Sequence, residues 1–216
     1  MADIFQEVNE EVRRDRAVEL WKKYGTYVAG AALAIVLATA GWVGWKEYQV
    51  RQQRADGARF AAALELVRQG QTEEGSAALD RLAAEAGAGY RTLARFQLAA
   101  ARAAAGDKAG AVSAYDEIIA DGGADPALRD LATLLAALIE IDSAPADVVE
   151  RRLAGLADGF GPWRPFAREL QAAAMLGAGD REGARKVFAE LTDDATAPAG
   201  VRARAAEMLA ALGGAS

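Results

Sequence analysis

From Gly25 to Trp45 the chain reads GTYVAGAALAIVLATAGWVGW, 21 residues without a single charge. At about 1.5 Å rise per residue, a helix of that length matches the ~30 Å hydrocarbon layer of a bilayer. Lys22 and Lys23 precede the run and Lys46 follows it. Trp21, Tyr24 and Tyr27 at one end, and Trp42, Trp45 and Tyr48 at the other, form two aromatic belts at the spacing of two membrane interfaces. A buried soluble helix explains the apolar run but not its flanks. A cleaved signal peptide explains Ala38-Thr39-Ala40 but not the 24 preceding residues, which carry Asp3, Glu7, Glu10, Glu11, Asp15 and Glu19 where a short basic segment belongs. We therefore expect an uncleaved anchor over residues 25–45, in contact with lipid, with Tyr27, Gly30, Ala34, Ala38, Trp42 and Trp45 as its characteristic positions. Gly30, Ala34 and Ala38 recur every four residues and make a small-residue stripe along which a second helix could approach.

Before the anchor, Ile4, Phe5, Val8 and Val12 fall at helical spacing, so residues 1–24 read as an amphipathic helix leading into the membrane. Lysine and arginine are nearly balanced, with Arg13, Arg14, Arg16, Lys22 and Lys23 before the span and Lys46, Arg51, Arg54 and Arg59 after it. The short leading segment and the single span favour a cytoplasmic N-terminus, with residues 46–216 in the periplasm if the cell is Gram-negative.

Residues 46–216 carry 20 Lys+Arg against 25 Asp+Glu, a net −5, which argues against nucleic acid because phosphate binding needs a clustered cationic footprint. Cysteine and histidine are both absent. That removes thiolate chemistry, the commonest metal ligand and the usual general base near neutral pH. Carboxylates such as Asp116 and Glu117 lie on regular helical faces outside any catalytic motif. No catalytic residue, cofactor, metal or small-molecule substrate is expected.

Alanine-rich composition with few aromatics and only five Pro suits an all-α fold of short, closely packed helices. A turn-then-helix layout recurs at Gly70, Gly106 and Gly179, offsets of 36 and 73 residues, the second close to twice the first. A degenerate copy is then due near residue 142, where Asp142-Ser143-Ala144-Pro145 supplies a break. In each turn a Gly can take the left-handed conformation that ends one helix, and the Asp or Thr after it can cap the next. Second helices carry apolar residues at helical spacing, as in Val148, Val149, Leu153 and Leu156; first helices do likewise with Leu93, Phe96 and Leu98, Leu131, Leu134, Leu135 and Leu138, and Phe166, Leu170 and Met175. Further starts are expected at Tyr90, Pro126, Pro162 and Pro198, the last opening a helix that caps the array. The spacing predicts about four helix pairs plus that capping helix.

At Gly106-Asp107, with Ala111 five and Tyr115 nine positions after the Gly, the chain looks like the second helix of a tetratricopeptide repeat. Gly179, Asp180, Ala184 and Phe188 repeat the pattern, whereas Gly75 and Leu79 depart from it. Together with a span ending in Gly44-Trp45-Lys46-Glu47-Tyr48, the layout resembles the YfgM-like ancillary subunits of the SecYEG translocon, alphaproteobacterial members in particular. That resemblance implies an inner-membrane protein with a periplasmic repeat domain, partnered by the translocon, a membrane-anchored periplasmic chaperone and nascent secretory chains. An envelope-assembly or cell-division scaffold, or the regulator of an envelope enzyme, would use the same repeat physics. Polar residues of the first helices, Arg91, Arg95, Arg102 and Arg168, are the candidates for a partner-binding concave face. A reporter active only outside the cytoplasm, fused after Ser216, is expected to be active; a silent reporter with a normally accumulated fusion would reverse the orientation.

Overall fold

The computed structural model describes the backbone of residues 3–213 and the side chains of residues 21–27 and 29–213. Among the described residues all regular structure is helical: α1 (Asp3–Arg68), α2 (Thr72–Glu85), α3 (Ala88–Ala104), α4 (Lys108–Ala120), α5 (Pro126–Glu140), α6 (Ala146–Ala157), α7 (Arg164–Gly177), α8 (Arg181–Asp193) and α9 (Ala199–Ala211). The chain divides into two compact units, Met1–Arg54 and Ala55–Ser216.

In the first unit the described portion is part of α1, whose stretch from Trp21 is the one described helix long and apolar enough to cross a membrane. Trp21, Tyr27, Trp42 and Trp45 are all exposed, as are Leu33, Ile35, Val36 and Leu37, so the apolar surface meets no protein. Gly30, Ala34 and Ala38 are exposed as well. The only hydroxyl inside the run's second half, that of Thr39, donates to the Ile35 carbonyl one turn earlier at 2.8 Å and so leaves no unpaired donor. The apolar face expected of Ile4, Phe5, Val8 and Val12 lies outside the described side chains.

In the second unit, helices pack in chain order: the end of α1 on α2, then α3 with α4, α5 with α6, α7 with α8, and α9 against α8. First helices also touch one another, α3 to α5, α5 to α7 and α7 to α9, which makes one layer of first helices and one of second helices. Four pairs and a terminal helix result, as the 36-residue recurrence predicts.

The recurrence has a backbone cause. Gly70, Gly106 and Gly179 have φ of 83°, 83° and 87°, a left-handed conformation that costs a residue with a Cβ about 1 kcal/mol or more. After each, the next amide donates back across the turn at 2.9 Å: Gln71 to the Leu66 carbonyl, Asp107 to Arg102 and Asp180 to Met175. These are glycine C-caps. The Asp107 carboxylate then accepts from the Gly110 amide and the Asp180 carboxylate from the Gly183 amide, both at 2.9 Å, so one dipeptide ends a helix and starts the next. At the first copy the expected Thr cap is not formed. Thr72 is already helical there, and Gln71, the N-cap, makes no side-chain bond.

Behind the turns, Ala111 and Ala184 are fully buried, and Tyr115 and Phe188 nearly so. Gly75 takes the same small-residue place in α2; a Cβ added to it would come within 2.5 Å of Val67 Cγ2. The first repeat is tied in by Asp56, whose buried carboxylate accepts from the Gly87 amide at 3.1 Å and so caps α3 from α1. Two expectations need correcting. Helix α7 opens at Trp163 with Pro165 in its first turn rather than at Pro162, because Gly159 and Gly161 lengthen the turn before it. Leu93 and Leu138, expected to face the core, are 38% and 52% exposed, because the fully buried positions of their helices go to Ala94 and Ala99, and to Ala132, Ala136 and Ala137. Chemical denaturation of the full-length chain should show Phe188→Ala costing about 3–5 kcal/mol and Asp180→Ala about 1 kcal/mol; near-equal costs would mean the buried ring does not organise its repeat.

Candidate protein-binding groove

Helix α5 is apolar on more than one face. Asp125 caps it by accepting from the Ala127 amide at 2.8 Å, with Pro126 in the first turn, where its missing amide is harmless. Ala132, Ala136 and Ala137 then bury against neighbouring helices. Leu131, Leu135, Leu138 and Ile141, at spacings of three to four, form a second apolar row along with Leu134. Helix α7 repeats the arrangement: Ala167, Ala172 and Ala174 are buried, and Trp163, Phe166, Leu170 and Ala173 make the exposed-side row. Between the two rows runs an apolar groove of about 470 Å³, within the ~300–1,000 Å³ range of clefts that hold ligands. Its floor is rigid. Trp163 and Phe166 meet at a ring-centroid distance of 5.9 Å, and Leu134 and Leu170 join the buried cluster around Leu153 and Val149.

Two charged residues reach the groove, Glu169 from α7 and Arg204 from α9, and they are joined bidentately at 2.6 and 2.7 Å. The pair neutralises the rim and fixes α9 to α7. The Trp163 indole N–H is buried and has no acceptor among the described residues. Phe160, in the turn before Trp163, is fully exposed and lies outside the groove lining.

The four arginines singled out from the sequence are engaged within the chain. Arg95 and Arg91 approach the Asp121 carboxylate at 2.9 and 3.9 Å, Arg102 donates to the Gly110 carbonyl at 3.2 Å, and Arg168 pairs with Glu190. Arg59 with Glu85 occupies the place one repeat before Arg95 with Asp121, so in these two repeats the contact clasps the first helix to the end of its second. Arg152 does the same between repeats, holding Glu140 at 2.7 Å and Asp116 at 2.5 Å. The groove went unseen in sequence because leucines at helical spacing read as core. Its visible signal is that α5 holds more large apolar residues than one buried face can use.

Among the described residues no group of three or more carboxylates could hold a metal ion. A hydrogen bond from the Gly123 amide, with Arg95 and Arg91 nearby, holds the Asp121 carboxyl below the usual carboxylate range. Asp194 is lowered in the same way by Thr196 and Arg164.

A family model described as "Tetratricopeptide repeat-like domain" matches residues 19–210. The ancillary SecYEG translocon subunit of Escherichia coli (strain K12) is 25% identical over 186 residues, which cover 86% of this chain and 87% of that protein. No solved structure matches. Because the folded Asp121 carboxyl binds its proton less tightly than the unfolded one, its contribution is present at neutral pH and fades as pH falls through the carboxylate range and then through the lowered value. Protection of the α3 and α4 amides, taken relative to their intrinsic exchange rates at each pH, should therefore fall in acid, less so in Asp121→Asn; an Asn variant with unchanged acid sensitivity would contradict the clasp.

Proposed function

Since the chain belongs to the tetratricopeptide repeat-like domain family, we propose that it is a non-catalytic, membrane-anchored adaptor that holds other proteins in the α5–α7 groove. The observation carrying this reading is the groove itself: an open apolar trough of about 470 Å³ with a neutralised rim, on a chain that also contains a membrane-crossing candidate. Large apolar side chains left facing water mark an interaction surface. Residues 25–45 serve as the anchor in the inner membrane, residues 1–24 lie in the cytoplasm and residues 46–216 in the periplasm.

Likeness to an ancillary SecYEG translocon subunit supports placing this adaptor beside the translocon, where a repeat domain on a tether meets emerging chains at high effective concentration. A membrane-anchored periplasmic chaperone is the natural second partner there. Within the anchor, the stripe of Gly30, Ala34 and Ala38 is the side offered to a neighbouring helix. Photocrosslinkers placed in cells at Leu138 and at Ala34 test both contacts. Capture of translocon components from Ala34 and of emerging or chaperone chains from Leu138 is expected. Capture of division or outer-membrane assembly proteins instead, or of no translocon component, would overturn the assignment.

A further inference from the structure

We infer that the occupant of the α5–α7 groove is an amphipathic helix of a partner protein, about three turns long, with an uncharged apolar face and basic residues on its outer side. This rests on the reading of the groove as a docking site and names what docks there. Three observations carry it.

The first concerns backbone. Both walls are helices whose main-chain groups are already bonded internally, and the two charged lining residues, Glu169 and Arg204, are consumed by each other. An extended segment laid in this trough would bury its own amides and carbonyls with almost nothing to receive them, at a cost of roughly 1–3 kcal/mol for each unpaired group. A helix brings its backbone bonds with it.

The second concerns length and spacing. From Leu131 to Ile141, the C-cap of α5, and from Trp163, the N-cap of α7, to Ala173, each wall spans ten residue steps, about 15 Å at helical rise. Side chains at i, i+3 or i+4, i+7, and i+10 or i+11 of a docked helix cover that distance and fill a trough with periodic walls.

The third concerns charge. Inside the groove no uncompensated charge exists for the occupant to match, so its inserted face is apolar. Outside, residues 46–216 carry a net −5, which favours an approaching helix with lysine or arginine on its solvent side.

The chain supplies its own reporter. Of its four tryptophans, Trp163 alone lies in the groove, so Trp21→Phe, Trp42→Phe and Trp45→Phe together leave one fluorophore there. With this full-length chain in phosphatidylcholine nanodiscs, the probe is a synthetic peptide of ~14 residues, four turns, with leucines on one helical face and lysines on the other. We expect saturable binding that shifts Trp163 emission to the blue. A peptide of identical composition with its leucines scrambled, or alternating to favour a strand, should bind at least roughly tenfold more weakly. The same helix with glutamate for lysine should also bind more weakly, by a factor that shrinks as salt is raised. Calorimetry on the unsubstituted chain guards against damage from the three tryptophan changes, and Leu138→Asp and Leu170→Asp should each abolish the heat. Equal binding of the scrambled or alternating peptide would overturn the helical occupant and leave the docking site standing; binding that survives both Asp variants, or no binding by any peptide, would overturn both.

Discussion

How closely two helices of a repeat lie depends on the side chains at their contact, and the closest approach requires a small residue there. In this chain Ala111, Ala184 and Gly75 meet that requirement in the second helices, and Ala94, Ala99, Ala132, Ala136, Ala137, Ala167, Ala172 and Ala174 meet it in the first. Each contact gains little from its own apolar area, but it brings backbones together so that neighbouring large side chains, such as Leu79, Ile118, Leu153 and Phe188, are fully enclosed. The glycine turns and aspartate caps set where helices begin and end; alanine sets how near they come.

That use of alanine has a functional consequence. Because small residues fill many inward positions of α5 and α7, part of their large apolar surface is left to line the groove between them, where Leu138 stays half exposed. Arginine and carboxylate pairs take up the polar surface, clasping α3 to the end of α4, α7 to α8, and α9 to α7. Such surface pairs add little stability singly. Their effect here is to hold charge in fixed intramolecular pairs and leave an uncharged trough.

Much of this was legible in the sequence. The Gly-Asp dipeptides at 106–107 and 179–180 foretold turn, cap and repeat period, because one conformation and one hydrogen bond determine all three. The apolar run with its flanking lysines and tryptophans foretold a helix fit to cross a membrane. What periodicity could not show is which of two apolar faces is buried. Leu93 and Leu138 carry the same spacing as true core residues, and only the three-dimensional competition with alanine assigns them outward. Likewise Arg91, Arg95, Arg102 and Arg168 were visible as first-helix cations, but their partners are contributed by the following helix or turn, 26 residues away for Arg95 and Asp121. Pro165 opens α7 in place of Pro162 because Gly159 and Gly161 let the turn run on, a length that local signals leave open.

The central claim is a division of labour: the alanine face of the first helices holds the fold, and the leucine face is spare. Chemical denaturation of Ala136→Leu and Leu138→Ser in the full-length chain, followed by circular dichroism, measures the two faces directly. The account predicts that adding bulk at the fully buried Ala136 costs about 1–3 kcal/mol, while removing bulk at the half-exposed Leu138 changes stability by no more than about 0.5 kcal/mol. A large loss for Leu138→Ser with little loss for Ala136→Leu would contradict it, for the leucine row would then be part of the core rather than a surface kept for a partner.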